Sequence, residues 1–258
     1  MKSMSKSIFN LLFLFCTVAG VAQDVTKKEQ SKTNANDSVV KTEKYGLRIG
    51  ADLSKLARSL YDKDYKGLEL VGDFRVTKKM YLAAELGNEN KTTDDDRLNF
   101  TTKGSYLKVG PEWNFYQNWL DMQNSIHLGF RYGVSSFSQE LNSYKIYDPS
   151  GYFPPNSDVI AGKKYEGLSA HWTEVVAGMK AELFKNFYAG FSVRMNYLVT
   201  DKKPDNFDNL YIPGYNRTYD GKFGVGWNYT LTYSIPIYKK TTKTSTKPSK
   251  ETDSKKKK

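Results

Sequence analysis

The alternation of apolar and polar residues in the last long segment, 223–238, sets the interpretation of the whole chain. Its odd positions are Phe, Val, Trp, Tyr, Leu, Tyr, Ile and Ile, whereas its even positions up to 234 are Gly, Gly, Asn, Thr, Thr and Ser. Successive side chains of a strand point to opposite faces, so one face of this strand is apolar and aromatic and the other is small and polar. A strand of this length and pattern is typical of a transmembrane β-barrel.

The same period of two recurs along the chain. It predicts eight strands, near 45–53, 68–76, 80–88, 103–114, 125–137, 168–183, 187–199 and 223–238. Tight turns follow strands two and six, and long connections begin near Ser54, Glu89, Ser138 and Thr200. Outer-membrane barrels have an even strand number, with short periplasmic turns and longer outer loops. We therefore predict an all-β fold: an up-and-down antiparallel transmembrane β-barrel, closed, of about eight strands, with both termini in the periplasm of a Gram-negative bacterium.

Composition and charge divide the chain into four parts. Lys2, Lys6 and an apolar run from 8 to 15 predict a signal peptide over residues 1–22. Residues 23–44 are polar and predict a disordered periplasmic leader, residues 45–238 the barrel, and residues 239–258 a disordered tail with nine Lys. Most of the formal charge of +11 lies in that tail, so the basicity does not indicate nucleic-acid binding.

Strand parity assigns most charged residues of the predicted barrel to its lumen. Because an eight-stranded barrel has room for little more than its own side chains, these charges are expected to pair and plug it. A gated ion path is the alternative. The predicted lumen charge network is Arg48, Asp52, Glu69, Asp73, Arg75, Glu85, Lys108, Glu112, His127, Arg131, Glu174, Lys180, Glu182 and Arg194.

Aromatic residues are predicted to form a belt at the membrane interfaces. The proposed members are Trp113, Trp172, Trp227, Tyr229 and Tyr238. Next to Trp172, the pair His171 and Thr173 offers a base and a hydroxyl on one face, as in a lipid hydrolase. A Thr is a weak nucleophile and Glu174 points to the other face, so the interfacial interpretation is preferred. We predict no catalytic residue, no metal site and no cofactor.

Several stretches resemble a known family. They are the signal ending in Ala22-Gln23, the segment 106–113 (YLKVGPEW), the segment 171–180 (HWTEVVAGMK), and Asn186-Phe187 with Gly190-Phe191. Over residues 45–238 the chain resembles small outer-membrane β-barrels of unknown function from Bacteroidetes-type bacteria, within the porin-like, OmpA/OmpX-like superfamily. The resemblance implies a barrel without an established binding or catalytic residue.

The expected function is that of a structural or adhesive barrel that displays extracellular loops above a plugged lumen. The alternatives are a small transport pore and a lipid-modifying outer-membrane enzyme. The expected partners are outer-membrane lipid and the barrel-assembly machinery. The Lys-rich tail is expected to contact anionic periplasmic or cell-wall groups, and no nucleic-acid partner is expected.

Overall fold

The chain folds into a ring of eight antiparallel strands connected in sequence order, which confirms the predicted fold class. The computed structural model describes residues 39–95, 97–116, 118, 123–146, 158–204, 208–216 and 221–244. The strands are β1 (Val39–Asp52), β2 (Tyr65–Arg75), β3 (Met80–Asp95), β4 (Leu98–Asn114), β5 (Ser125–Lys145), β6 (Asp158–Phe184), β7 (Phe187–Asp201) and β8 (Phe223–Thr244). One helix, α1 (Leu53–Tyr61), follows β1.

The two faces of the ring differ as the alternation predicts. On β8, Val225, Trp227 and Tyr229 are exposed on the outside, whereas Asn228 and Thr232 are buried inside. The same division holds on β5, where exposed Leu128 and Phe130 alternate with buried His127 and Arg131. A soluble monomer rarely exposes a continuous apolar surface of this extent.

Glycines bring the first and last strands close together. A Cβ on Gly50 would lie 1.9 Å from the carbonyl oxygen of Leu231, and one on Gly46 would lie 2.1 Å from that of Ile235. A larger residue at either position would force the two backbones apart. Near the other end of this seam, the rings of Tyr45 and Tyr238 stack with centroids 5.0 Å apart.

Two of the predicted long loops are largely strand. β3 and β4 remain paired as far as Asp95 opposite Leu98, although a polar loop had been expected from Glu89. β5 and β6 remain paired as far as Lys145 opposite Asp158. Together β3–β6 form a four-stranded extension, held partly by backbone hydrogen bonds that side-chain alternation does not reveal. The turns over 76–79 and 185–186 are short, as predicted.

The ends of the barrel also differ from the prediction. β1 begins at Val39, inside the segment predicted as leader, and β8 ends at Thr244, inside the predicted tail. Residues 40–242 form one compact unit. The predicted signal peptide, the first part of the leader and the end of the tail lie outside the described residues.

Among the residues that the structure describes, no helix is both long enough and apolar enough to cross a membrane.

Candidate functional site

The centre of the barrel interior is organised around the Glu85 carboxylate. Arg194 donates two hydrogen bonds to it, from Nη1 to Oε2 at 2.5 Å and from Nη2 to Oε1 at 3.1 Å. The ammonium of Lys108 lies 3.3 Å from Oε2, and Nε of Arg131 lies 3.7 Å from Oε1. All four side chains are buried and come from four different strands, β3, β4, β5 and β7. Each charge therefore has an opposite charge beside it, as burial requires.

A second group of ion pairs lies around Asp73 and Glu112. Lys180 joins the two carboxylates, with Nζ 2.9 Å from Asp73 and 2.8 Å from Glu112. Arg48 donates from Nε to Asp73 at 2.7 Å, and Arg131 pairs with Glu112. Since Arg131 contacts both Glu85 and Glu112, it connects this group to the first.

The sign of the interior charge is balanced. In the part of the chain that the structure describes, buried ion pairs inside the ring join six carboxylates to six cations. The acids are Glu69, Asp73, Glu85, Glu89, Glu112 and Glu174, and the bases are Arg48, Lys55, Lys108, Arg131, Lys180 and Arg194. Removing one member would leave its partner charged in a poorly solvated interior.

Four residues of the predicted network lie outside these ion pairs, although Asp52 and His127 are buried in the interior. Asp52 caps α1, accepting from the backbone N–H of Ser54 at 2.8 Å. Arg75 donates to three backbone carbonyls, including that of Lys78 at 2.9 Å, and so holds the turn after β2. Glu182 is half-buried and accepts from the backbone N–H of Asn186 at 3.0 Å. Nε2 of His127 lies 3.6 Å from Glu112, a contact at the margin of the ion pairs.

The mouth of the barrel has a different centre, Glu89. Its carboxylate pairs with Lys55 of α1 and accepts from the hydroxyl of Tyr211 at 2.5 Å and the backbone N–H of Gly214 at 3.2 Å. Lys55 also lies 3.2 Å from Glu69. Burial alone would lower the pKa of Lys55, but the carboxylates of Glu69 and Glu89 raise it above its usual range. Lys55 therefore stays charged and ties α1 to the barrel interior.

The segment 208–216, here called the mouth plug, folds into this end of the ring. Its residues 211–215 are all buried. Gly214 has φ of +81°, and a Cβ there would lie 2.5 Å from the ring of Tyr106, so both the turn and the packing require glycine. Burial and the nearby Glu89 raise the pKa of Tyr211, and burial raises that of Tyr215 to about 12, so both phenols stay neutral.

Apolar packing joins the mouth plug to the strands. Ile212 and Tyr215 form a buried cluster with Tyr106, Phe137, Leu168, Ala170, Trp172 and Leu198. Trp172 is fully buried and donates from Nε1 to Glu174 at 2.6 Å. Its predicted place in the aromatic belt is therefore wrong, because it shares the inner face with Glu174. The other predicted belt residues, Trp113, Trp227, Tyr229 and Tyr238, are exposed on the outer surface.

Sequence reasoning missed several residues of the mouth. Glu89 has the parity of Glu85, but the predicted strand ended one residue before it. Tyr106 and Asn228 also have inward parity and were passed over because they are uncharged; Asn228 donates to both Asp52 and Glu69. No strand pattern could have found Lys55 or the mouth plug, since a helix and an irregular segment carry them.

Little free volume remains among the interior charges. The cavity lined by residues including Asp73, Glu112, His127 and Arg131 measures about 30 Å³, which is room for roughly one water. Within the described residues no cluster of His, Cys, Asp and Glu has the arrangement of a metal site.

His171, considered above as a base beside Thr173, lies on the outer surface. Its Nδ1 is 3.2 Å from the hydroxyl of Tyr132.

Comparisons with known proteins found one similar solved structure and one matching family model. A solved structure, the crystal structure of Ail, the attachment invasion locus protein of Yersinia pestis, is similar to 74% of this chain and to 98% of the Ail chain. The TM-score is 0.38 and the sequence identity is 11%. No curated protein matches the chain. A family model described as Domain of unknown function (DUF6048) matches residues 4–240, and the chain therefore belongs to that family.

Proposed function

We propose that this protein is an outer-membrane barrel with a closed interior, whose role is structural or adhesive. The observation that carries the proposal is the contrast between an apolar outer face and an interior filled by balanced ion pairs and the mouth plug. An apolar outer face is stable in contact with lipid. Over most of the height of the ring each strand has a neighbour on both sides, so few backbone groups are left without a hydrogen-bond partner. Because only about 30 Å³ is free among the interior charges, a structural role is favoured over transport through the barrel.

The four-stranded extension of β3–β6 is the surface that this barrel would display. Its hairpin ends carry polar groups, including Asp94 and Asn99, and Asn142 bridges β5 to β4 through hydrogen bonds to Asn99 and Thr101 at 2.7 and 3.0 Å. Gln139 bonds to residues 208 and 210 at the edge of the mouth plug. A paired, braced sheet presents a fixed surface to a partner at a smaller entropic cost than a loose loop.

Cysteine labelling tests the proposed location and orientation. Asn99→Cys, in the β3–β4 hairpin, should react with a membrane-impermeant maleimide in intact cells. Lys79→Cys, in the turn after β2, should react only after permeabilisation. Labelling of Lys79→Cys in intact cells would contradict the orientation, and labelling of Asn99→Cys only after permeabilisation would contradict an outer-membrane barrel with this hairpin outside the cell.

A separate assay tests the adhesive role. Cells that display the wild-type chain should sediment by autoaggregation faster than cells that display a variant with the hairpin residues 93–100 replaced by a short Gly-Ser turn. Equal sedimentation at equal surface amounts would exclude adhesion between cells through this hairpin. The lipid-enzyme alternative predicts an altered lipid A mass spectrum on expression, and we expect the spectrum to be unchanged.

A further inference from the structure

The barrel wall has a notch at the seam between its first and last strands. β1 ends at Asp52, and its register pairs Ala51 with Leu70 of β2. β2 begins at Tyr65, so its first residues extend past the end of β1. On the other side Gly50 lies against Leu231, so residues 223–228 of β8 also extend past it. The short strand thus leaves a gap between two longer neighbours.

Helix α1 crosses this notch with its apolar side outward. Leu53, Leu56, Ala57 and Leu60 recur at helical spacing and are all exposed, Leu60 to 91%. The opposite side holds Lys55 and Ser59; the Ser59 hydroxyl accepts from the backbone N–H of Gly67 at 2.8 Å. An amphipathic helix whose apolar side faces away from its own protein is typical of a helix that lies in a membrane interface.

A cavity of about 580 Å³ lies behind the helix. Residues 225–227 of β8 form one wall, and Tyr65 and Lys91 contribute from β2 and β3. A Cβ on Gly226 would meet nothing within 4 Å, so the space next to this glycine is open. The volume is in the range of ordinary ligand sites.

The cavity is cationic on its inner side and apolar at its lip. Three cations line it. Lys55 already pairs with Glu69 and Glu89, and Arg58 donates from Nε to Asp62, the one carboxylate of the lining, at 3.2 Å, which leaves its remaining N–H groups for a ligand. The third cation is Lys91. The Arg58 guanidinium lies 4.2 Å from the Tyr65 ring centre, and the Lys91 ammonium lies 4.9 Å from that of Tyr211, so aromatic rings hold both cations at the wall. Trp227, which is 69% exposed, stands at the outer lip.

We propose that this cavity binds the phosphorylated headgroup of a membrane lipid, whose acyl chains lie along the exposed apolar sides of α1 and β8. The cations match the phosphate, and Arg is suited to it because its planar fork of N–H groups can donate two parallel hydrogen bonds. The apolar lip matches acyl chains, which a soluble phosphate lacks. The inference rests on the proposed membrane location, which the cysteine labelling tests separately.

Titration of the folded protein in a zwitterionic detergent tests the site. The probes are dioctanoyl phosphatidic acid, dioctanoyl phosphatidylcholine and inorganic phosphate, and binding is followed by native mass spectrometry. The wild type should bind phosphatidic acid saturably and at least tenfold more tightly than phosphatidylcholine. Gly226→Leu, which projects a side chain into the cavity, should weaken binding by about tenfold or more, and so should Arg58→Gln with Lys91→Gln.

Lys66→Gln is the matched control, since Lys66 is an exposed cation adjacent to Tyr65 in sequence that does not line the cavity. It should bind phosphatidic acid as the wild type does. Heat-dependent gel mobility verifies that each variant is folded, and the charge variants carry the test if Gly226→Leu does not fold. Equal binding of both lipids, equal weakening by Lys66→Gln, or unchanged binding by the Arg58 and Lys91 variant would overturn the proposal. Displacement of the lipid by equimolar inorganic phosphate would show that the site recognises phosphate alone, which would overturn the proposal that it binds a lipid.

Discussion

The centre of the barrel interior and its mouth are filled by different means. Around Glu85 the interior consists of charged side chains that all arise from strands and pair across the ring. At the mouth the Glu89–Lys55 pair is the buried charge, and most of the interior is filled by an irregular segment, the mouth plug, and by aromatic rings that pack on it. The centre is stabilised by ion pairs, because little water is present there to solvate a charge that loses its partner. The mouth is stabilised mainly by the close packing of side chains against the mouth plug.

The largest effect should come from breaking the charged centre. Glu85→Ala leaves Arg194 and Lys108 without their shared carboxylate, and it should lower the free energy of unfolding by about 3–5 kcal/mol. Urea unfolding in lipid vesicles, followed by gel mobility, measures it. Glu182→Ala is the control, because Glu182 is half-buried at the turn after β6, and it should cost less than about 1 kcal/mol. Equal losses of unfolding free energy for Glu85→Ala and Glu182→Ala would show that the central ion pairs contribute no more to stability than Glu182 does.

The outer face should tolerate a charged side chain poorly, because the lipid hydrocarbon offers no opposite charge or hydrogen-bond partner. Val193→Arg, on the exposed side of β7, should cost about 2–4 kcal/mol if that residue lies near the membrane midplane. Val193→Ala keeps the site apolar and serves as the control. A reversible unfolding measurement in vesicles that finds Arg and Ala equivalent would show that this face does not contact lipid.

The smallest effect should come from the mouth plug, where a single methyl group tests shape. Gly214→Ala places a Cβ against the Tyr106 ring at positive φ and should cost about 1–3 kcal/mol. Gly162→Ala is the matched control, since Gly162 has φ of +58° and open space around it. The control should show backbone strain alone, so the difference in unfolding free energy between the two variants measures packing. No difference would mean that the plug is not tightly seated on Tyr106.

The same contrast explains how far the sequence could predict the molecule. The central charges were accessible because a strand has a strict period of two, so Glu85, Lys108, Arg131 and Arg194 follow from parity alone. Lys55, Tyr211 and Gly214 lie on elements that have no such period, and their positions depend on long-range packing. Trp172 was misplaced because aromatic character was given more weight than parity. The β3–β6 extension was missed because backbone pairing continues where apolar alternation stops.

Conductance in planar lipid bilayers tests the closed interior most directly. The folded wild type should show no channel openings above the baseline of the membrane, because the charged centre fills the ring below the mouth. A variant with residues 208–216 replaced by a Gly-Ser linker should also stay closed, since the ion pairs around Glu85 and Glu112 do not involve that segment. Stable, reproducible openings of the wild type would contradict a closed barrel, and openings only in the linker variant would show that the mouth plug alone closes it.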